Sequence, residues 1–290
     1  MRASVVIPAY NEAGNIGALV RETYAVVPAQ NLVEVIVVDD GSSDETGAEV
    51  KALIGTLPGL RYLRHARRCG QSTALRTGIL AASSTIVATM DGDGQNDPRD
   101  LVRLLARLAP PGSPASGPGC PKGPAMVSGV RTQRIADGAK IRASRFANWL
   151  RNVLLKDACP DSGCGIKVYW REAFLRLPFF SNIHRFLPAL FQITGHEVAY
   201  VAVTDRRRMA GVSKYSNLDR ALLGITDLLG VCWLRRRTRV PTIDEDVVDG
   251  RQVRTFIGRP LRRVEAVHKG QTGGGHSGGQ GGFGGPGDPA

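Results

Sequence analysis

Three apolar runs in the first third of the chain end in the same way, and this limits the folds open to it. Ser4–Ile7 (SVVI) passes into Pro8-Ala9-Tyr10-Asn11-Glu12, and Val33–Val38 (VEVIVV) into Asp39-Asp40-Gly41-Ser42-Ser43-Asp44. Thr85–Met90 (TIVATM) passes into Asp91-Gly92-Asp93-Gly94-Gln95. A short β-branched run with almost no polar interruption reads as a strand covered on both faces. Between the runs, Ile16, Leu19, Val20, Tyr24 and Val27 recur at helical spacing, with Asn11 as their expected cap. A helix follows Asp44 to about Ile54, Leu60–Leu63 reads as a further strand, and Gln71–Ala82 as a helix. Strand alternating with helix predicts an α/β fold, a mostly parallel central sheet with helices on both faces. Ligands of such sheets bind beyond the carboxyl ends of the strands, so the three polar motifs share one edge. Pro8 is expected to stop the first strand.

The pattern continues less evenly. Pro98–Leu108 reads as a helix with Asp97 as its cap, and Ala109–Ala125, dominated by Pro, Gly and Ser, as a flexible surface loop. Met126–Val130 returns to strand, and Ile135–Leu155 is amphipathic and basic. Asp161-Ser162-Gly163-Cys164-Gly165 forms a turn before the strand Ile166–Tyr169; Glu197–Val203 is a strand and Leu218–Leu234 an apolar helix. The boundaries expected are a main domain over 1–240, a basic extension over 241–269 and a disordered Gly-rich tail over 270–290.

Composition narrows the partners. The chain has 290 residues and a formal net charge of +12, which calls for an anionic partner. The charge is clustered at Arg206-Arg207-Arg208, at Arg235-Arg236-Arg237 with Arg239, and from Arg251 to Lys269. Cys69, Cys120, Cys159, Cys164 and Cys232 are odd in number and contain no CxxC pair, so free thiols are expected rather than disulfides or a zinc site. The first strand begins without a leader-like segment, and the longest lipid-like stretch, Ala221–Leu234, has 14 residues including Asp227. Crossing a bilayer takes about 20 apolar residues, so no transmembrane helix and a cytoplasmic location are expected.

Taken alone, DGDGQ offers two carboxylates on a tight turn, a donor set suited to one hard divalent cation. In order and spacing, however, PAYNE (Pro8–Glu12), VVDDGSSD (Val37–Asp44), DGDGQ (Asp91–Gln95), DSGCG (Asp161–Gly165) and RRMAGVSKY (Arg207–Tyr215) together resemble glycosyltransferase family 2. Within it they are most similar to the dolichol-phosphate mannosyltransferase-like branch, over about residues 4–240. The resemblance implies a GT-A nucleotide-sugar-binding fold and an inverting, metal-assisted transfer of a sugar, mannose or glucose, to a polyprenyl phosphate.

It also implies roles for particular residues. Pro8, Tyr10, Glu12, Asp39, Asp40, Ser42, Gly70, Asp91 and Asp93 would bind the nucleotide sugar, GDP-mannose or a UDP-hexose. Asp91, Asp93 and Gln95 would hold Mg²⁺ or Mn²⁺, with Asp93 the direct ligand. Arg131, Ser162, Arg185, Arg208, Ser213 and Lys214 would hold the acceptor phosphate, with Asp93, Arg208 and Lys214 central to catalysis. Arg67-Arg68-Cys69-Gly70 stands where the family has an Arg/Lys-Asn-x-Gly element, with Arg68 in place of Asn. A phosphate acceptor is already ionised, so no catalytic base is expected.

The Leu218–Leu234 helix, flanked by Lys214 and Arg235–Arg239, suits an anionic membrane surface as well as a core-packing role, which predicts a peripheral membrane enzyme, alone or with a membrane partner protein. Other readings remain. One is a family 2 enzyme acting on a saccharide hydroxyl. A basic nucleic-acid-binding protein would explain the charge but not the acidic sheet edge, so no nucleic acid is expected. A dinucleotide-dependent dehydrogenase lacks its GxGxxG after the first strand.

Overall fold

The computed structural model describes residues 1–108, 123–131, 151–206 and 217–240, with the side chains of 217–223 excepted, and the backbone of Val247–Val248 and Arg251–Gln252. The Pro/Gly stretch through residue 122, the basic amphipathic stretch through 150, the RRMAGVSKY motif and the C-terminal tail lie outside the described residues.

Seven strands form one sheet: β1 (Ala3–Ala9), β2 (Leu32–Asp39), β3 (Leu60–Arg64), β4 (Ile86–Thr89), β5 (Met126–Arg131), β6 (Lys167–Trp170) and β7 (Val198–Val203). Their order is β3-β2-β1-β4-β6-β5-β7. β1 pairs in parallel with β2 and β4, β2 with β3, and β5 with β7. Only β6 is reversed, antiparallel to both β4 and β5. The expected mostly parallel α/β sheet is therefore present, with one strand turned round.

The central strands are buried along their length, which is why they carry no polar alternation. β1 continues through Pro8, opposite Val38, where a stop was expected. The reason lies in the partners. Asp40 N donates to Ala9 O on the β2 side and Met90 N to Val6 O on the β4 side, so the missing N–H of Pro8 falls toward β4, where the ladder has already ended at Val6↔Thr89.

The helices are α1 (Ile16–Val26), α2 (Thr46–Lys51), α3 (Gln71–Ala81), α4 (Asp100–Arg107), α5 (Arg171–Leu175), α6 (Leu187–Ile193) and α7 (Asn217–Arg237), with a helical stretch over 151–155 and short 3-10 turns. The chain steps from β1 to β2 to β3 and then back past β1 to β4. Right-handed crossovers therefore put α1 and α2 on one face and α3 on the other. α3 lies very close to the sheet: a Cβ on Gly78 would overlap Val6 and lie 3.1 Å from Val38 Cγ2. At the far end of the strands from their carboxyl edge, buried Glu34 accepts from Ser4 Oγ (2.7 Å), Ser83 N (2.7 Å) and Arg61 Nη1 (2.8 Å), joining three segments. A second compact unit, beginning at Ile243, contains the two-stranded hairpin β8 (Val247–Val248) and β9 (Arg251–Gln252).

Candidate active site

The carboxyl ends of β1, β2 and β3 are level, with Ala9 opposite Asp39 and Asp39 opposite Arg64. The loops that follow are stitched to one another. Asp39 is buried and accepts from Ser42 N at 2.7 Å and from the Tyr62 hydroxyl at 2.5 Å. Burial and that bond push the Tyr62 phenol up to about 12, so it stays a donor. Asp40, also buried, accepts from Cys69 N (2.8 Å) and Gly70 N (2.7 Å) and lies 2.8 Å from His65 Nδ1. It thereby fixes the turn that starts α3. Asn11, in the left-handed region at φ 52°, does not cap a helix. Its amide N donates to Ser42 Oγ (2.9 Å) and its side chain accepts from Ser43 N (2.9 Å), joining the first two motifs. The helix begins only at Ile16, and the Glu12 carbonyl accepts the first N–H groups there. Glu12 Oε2 accepts from Asn15 Nδ2 at 3.1 Å. Gly41, at φ 76°, lets the backbone of Arg67 and Arg68 approach; a Cβ there would be 2.9 Å from both. The Arg68 guanidinium lies over the Tyr10 ring at 4.4 Å from its centroid.

The DGDGQND segment turns beside this edge. A Cβ on Gly92 would lie 2.9 Å from the Pro8 carbonyl, which brings the first and third motifs into contact. Gln95 N donates to Asp93 Oδ1 (3.1 Å) and Asp91 N to Asn96 Oδ1 (3.0 Å), which sets the turn. Arg206 locks its far side: its amide N donates to the Gln95 carbonyl (3.0 Å), and its guanidinium pairs with Asp97 (2.7 Å) and Glu22 (2.8 Å). Asp97 also accepts from Arg99 N (2.9 Å) just ahead of α4, which starts at Asp100, within two residues of the expected start. Asp91 accepts from Gln71 Nε2 at 2.8 Å. Its carboxyl is pushed up to about 6 by burial and by the charge of Asp93, against the pull of Lys167, Arg131 and Gln71.

The reversed strand brings the fourth motif to the same place. Because β6 runs opposite to β4, the segment before it, Asp161–Gly165, reaches the edge where β4 ends. A Cβ on Gly165 would overlap the Asp91 carboxylate, so any other residue there would push that carboxylate aside. Arg131 donates from Nε (2.7 Å) and Nη2 (3.0 Å) to both oxygens of buried Asp161, which also accepts from Gly163 N (3.2 Å). Ser162 and Arg185 are half-buried. His184 Nδ1 and Ser72 Oγ are 2.8 Å apart, and burial with the charges of Arg185 and Lys167 holds this imidazole down at about 3. It stays neutral. Lys167 is 3% exposed, and its ammonium donates to the Cys164 carbonyl. Burial raises the Cys164 thiol to about 11, which keeps it protonated.

The Glycosyl transferase family 2 model matches residues 4–177, more than half of the chain. The chain belongs to glycosyltransferase family 2. It is 32% identical over 242 residues to a dodecaprenyl-phosphate galacturonate synthase of Rhizobium johnstonii, covering 81% of this chain and 68% of the relative. It is 30% identical over 218 residues to an undecaprenyl-phosphate 4-deoxy-4-formamido-L-arabinose transferase of an Enterobacter species, covering 74% of this chain and 63% of that protein. Among solved structures, glucosyl-3-phosphoglycerate synthase of Mycobacterium tuberculosis in complex with UDP aligns over 92% of this chain and 88% of its own, with a TM-score of 0.60 at 20% identity. The fold is GT-A.

Four of the five motifs that resembled family 2 meet at one sheet edge; Arg208, Ser213 and Lys214 of the fifth lie outside the described residues. The donor set at Asp91 and Asp93 fits a divalent cation, because the charge of Asp93 raises the cost of ionising Asp91 and a hard cation beside them would offset it. Asp40, His65 and Cys69 also place ligand atoms within 4.8 Å of one another. Here the carboxylate is filled by backbone N–H groups, and His65 Nε2 lies 2.9 Å from Thr77 Oγ1, so the group reads as a hydrogen-bonded clamp. The sequence reading gives Lys167 and Gln71 only a place in a strand and a helix, and Arg206 only a place in a basic cluster, with no role at the site. The signal for Lys167 was present, since a lysine interrupts the apolar strand IKVYW.

Proposed function

We propose that this family 2 protein transfers a sugar from a nucleoside diphosphate sugar to a polyprenyl phosphate. The observation that carries the reading is the meeting of the Asp91–Asp93 turn with two cations, Arg131 at the end of β5 and Lys167 at the start of β6. An acidic turn alone suits a cation; an acidic turn facing cations suits two phosphates brought together. The names of the two relatives, both acting on polyprenyl phosphates, agree with it.

In this reading Pro8, Tyr10, Glu12, Ser42 and Gly70 line the nucleotide pocket, while Asp39 and Asp40 hold its loops in shape. Asp93, with Asp91 and Gln95, would hold Mg²⁺ or Mn²⁺, which when bound neutralises charge on the departing diphosphate. Arg131, Ser162 and Arg185 take the acceptor side with Arg208, Ser213 and Lys214. A phosphate oxygen of the acceptor attacks the anomeric carbon with inversion. The bond to the nucleoside diphosphate breaks and its electron pair leaves with that group. No proton has to be removed, so the neutral His184 is left as a structural donor or acceptor. The relatives shift the expected sugar from mannose or glucose toward a uronic acid or a formamido pentose.

The test is transfer of radiolabelled sugar into an organic-extractable polyprenyl phosphate, across UDP-galacturonate, a UDP-formamidopentose, UDP-glucose and GDP-mannose, with Mn²⁺ or with EDTA. One donor is expected to be used, and Asp93→Ala should lower the rate on the order of 10²–10³-fold. Label entering a saccharide acceptor and not the lipid would overturn the reading.

A further inference from the structure

α7 has two unlike faces. Leu228 and Val231 are buried against the core, whereas Ile225, Leu229 and Trp233 are 54%, 62% and 61% exposed. These three stand four residues apart, so they form one stripe about 12 Å long. Gly230, next to Leu229, is exposed, and an added Cβ there would meet nothing within 4 Å. Arg236 follows Ile225 by eleven residues, about three helical turns, and therefore extends the same face. Arg236, Arg237 and Arg239 are all exposed.

We propose that this stripe docks α7 on the surface of an anionic bilayer. The occupant is argued from charge and chemistry. Apolar side chains that end in an interfacial tryptophan, followed at once by arginines, match an acyl layer beneath anionic headgroups. A second copy of the chain would bring another net charge of +12 to the same place. Two side chains on the opposite face tie the helix to the acceptor side of the site. Asp227 Oδ2 accepts from Asn182 Nδ2 at 3.0 Å, and Asn182 starts the turn that holds His184 and Arg185. Arg235 Nη1 donates to the Leu155 carbonyl, at the head of the segment that leads into Asp161–Gly165. A helix lying on the membrane thus holds, on its other side, the residues placed to meet a lipid phosphate. The inference deepens the polyprenyl-phosphate reading and rests on it for the acceptor; the surface itself is tested without turnover.

The experiment is flotation of the full chain with vesicles of phosphatidylcholine alone or with phosphatidylglycerol, with no sugar donor present. The protein is expected to float with the anionic vesicles only and to be released by salt. The variant with Ile225→Gln, Leu229→Gln and Trp233→Gln, whose melting temperature should be unchanged because the three side chains are exposed, is expected to bind at least about tenfold less. It should still transfer sugar to a soluble short-chain isoprenyl phosphate while losing transfer to a long-chain acceptor in vesicles. Wild type that stays unbound, or a triple variant that floats equally, overturns the proposal, as does a wild-type dimer that the variant dissolves. If vesicle binding is lost as expected but no donor is ever used, the surface stands and the functional reading falls.

Discussion

The Asp91 carboxyl is held up at about 6 because it is packed on Gly165, partly removed from water, and faces Asp93. In the unfolded chain it would ionise near the ordinary value of 3.8. The folded state therefore binds the extra proton between these values, and its contribution to stability is lost as pH rises through about 6. In EDTA, Asp91→Asn should melt higher than wild type at pH 7.5, by about 1–3 kcal/mol, and the gap should close toward pH 4. A thermal unfolding series across that range checks it; an Asn variant less stable than wild type at pH 7.5 would refute the account. Under the proposed function the same substitution should also reduce sugar transfer, since Asp91 is there one of the groups that would hold the cation beside Asp93.

Elements were legible where their cause is local. The valine-rich β2 and the helical spacing of α3 follow from burial on both faces and on one face, and their ends agree with the sequence to within two residues. What decided the rest was long-range. Pro8 stays inside β1 because β4 ends early beside it, and nothing near Pro8 records that. Nor does IKVYW state that β6 runs backwards, although that reversal brings Gly165 to Asp91. Asp39 and Asp40 could be read as ligands, but their bonds to Ser42, Tyr62, Cys69 and Gly70 depend on loops that meet only in the fold. Gly78 shows how tertiary contact inverts a local preference. Alanine in a helix normally gains about 1 kcal/mol over glycine, but here its Cβ would overlap Val6. Gly78→Ala should destabilise by about 1–3 kcal/mol, read from the urea midpoint. A stabilised variant would show that α3 has room to move off the sheet.

Across the whole molecule, the sheet carries its charge at opposite ends. The carboxyl edge gathers the site, and the other end is closed by Glu34. Burial would raise this acid, but the bonds from Ser83, Arg61 and Ser4 prevail and hold it at about 2. Its folded value is depressed, so its contribution is present above about 4.5 and is lost as pH falls toward 2. Glu34→Gln should cost about 2–4 kcal/mol at pH 7 and flatten the acid limb of the stability curve, while leaving sugar transfer at pH 7 intact on the opposite edge. Equal acid limbs for the two proteins, followed by unfolding monitored by circular dichroism, would refute it. The order in which the strands are joined has a further consequence for the chain as it is made. Val6 meets Thr89, Thr89 meets Lys167, Ser72 meets His184, and Asn96 meets Asp205. Each of these closures spans a long stretch of sequence, which is slow and must wait for its later partner. A chain emerging from the ribosome can therefore assemble the first strands early, but it has no wall for Asp91 until Gly165 arrives and no lock on the turn until Arg206 does. The edge where the motifs meet can therefore close only after all seven strands of the sheet have been synthesised, since Arg206 follows the last of them.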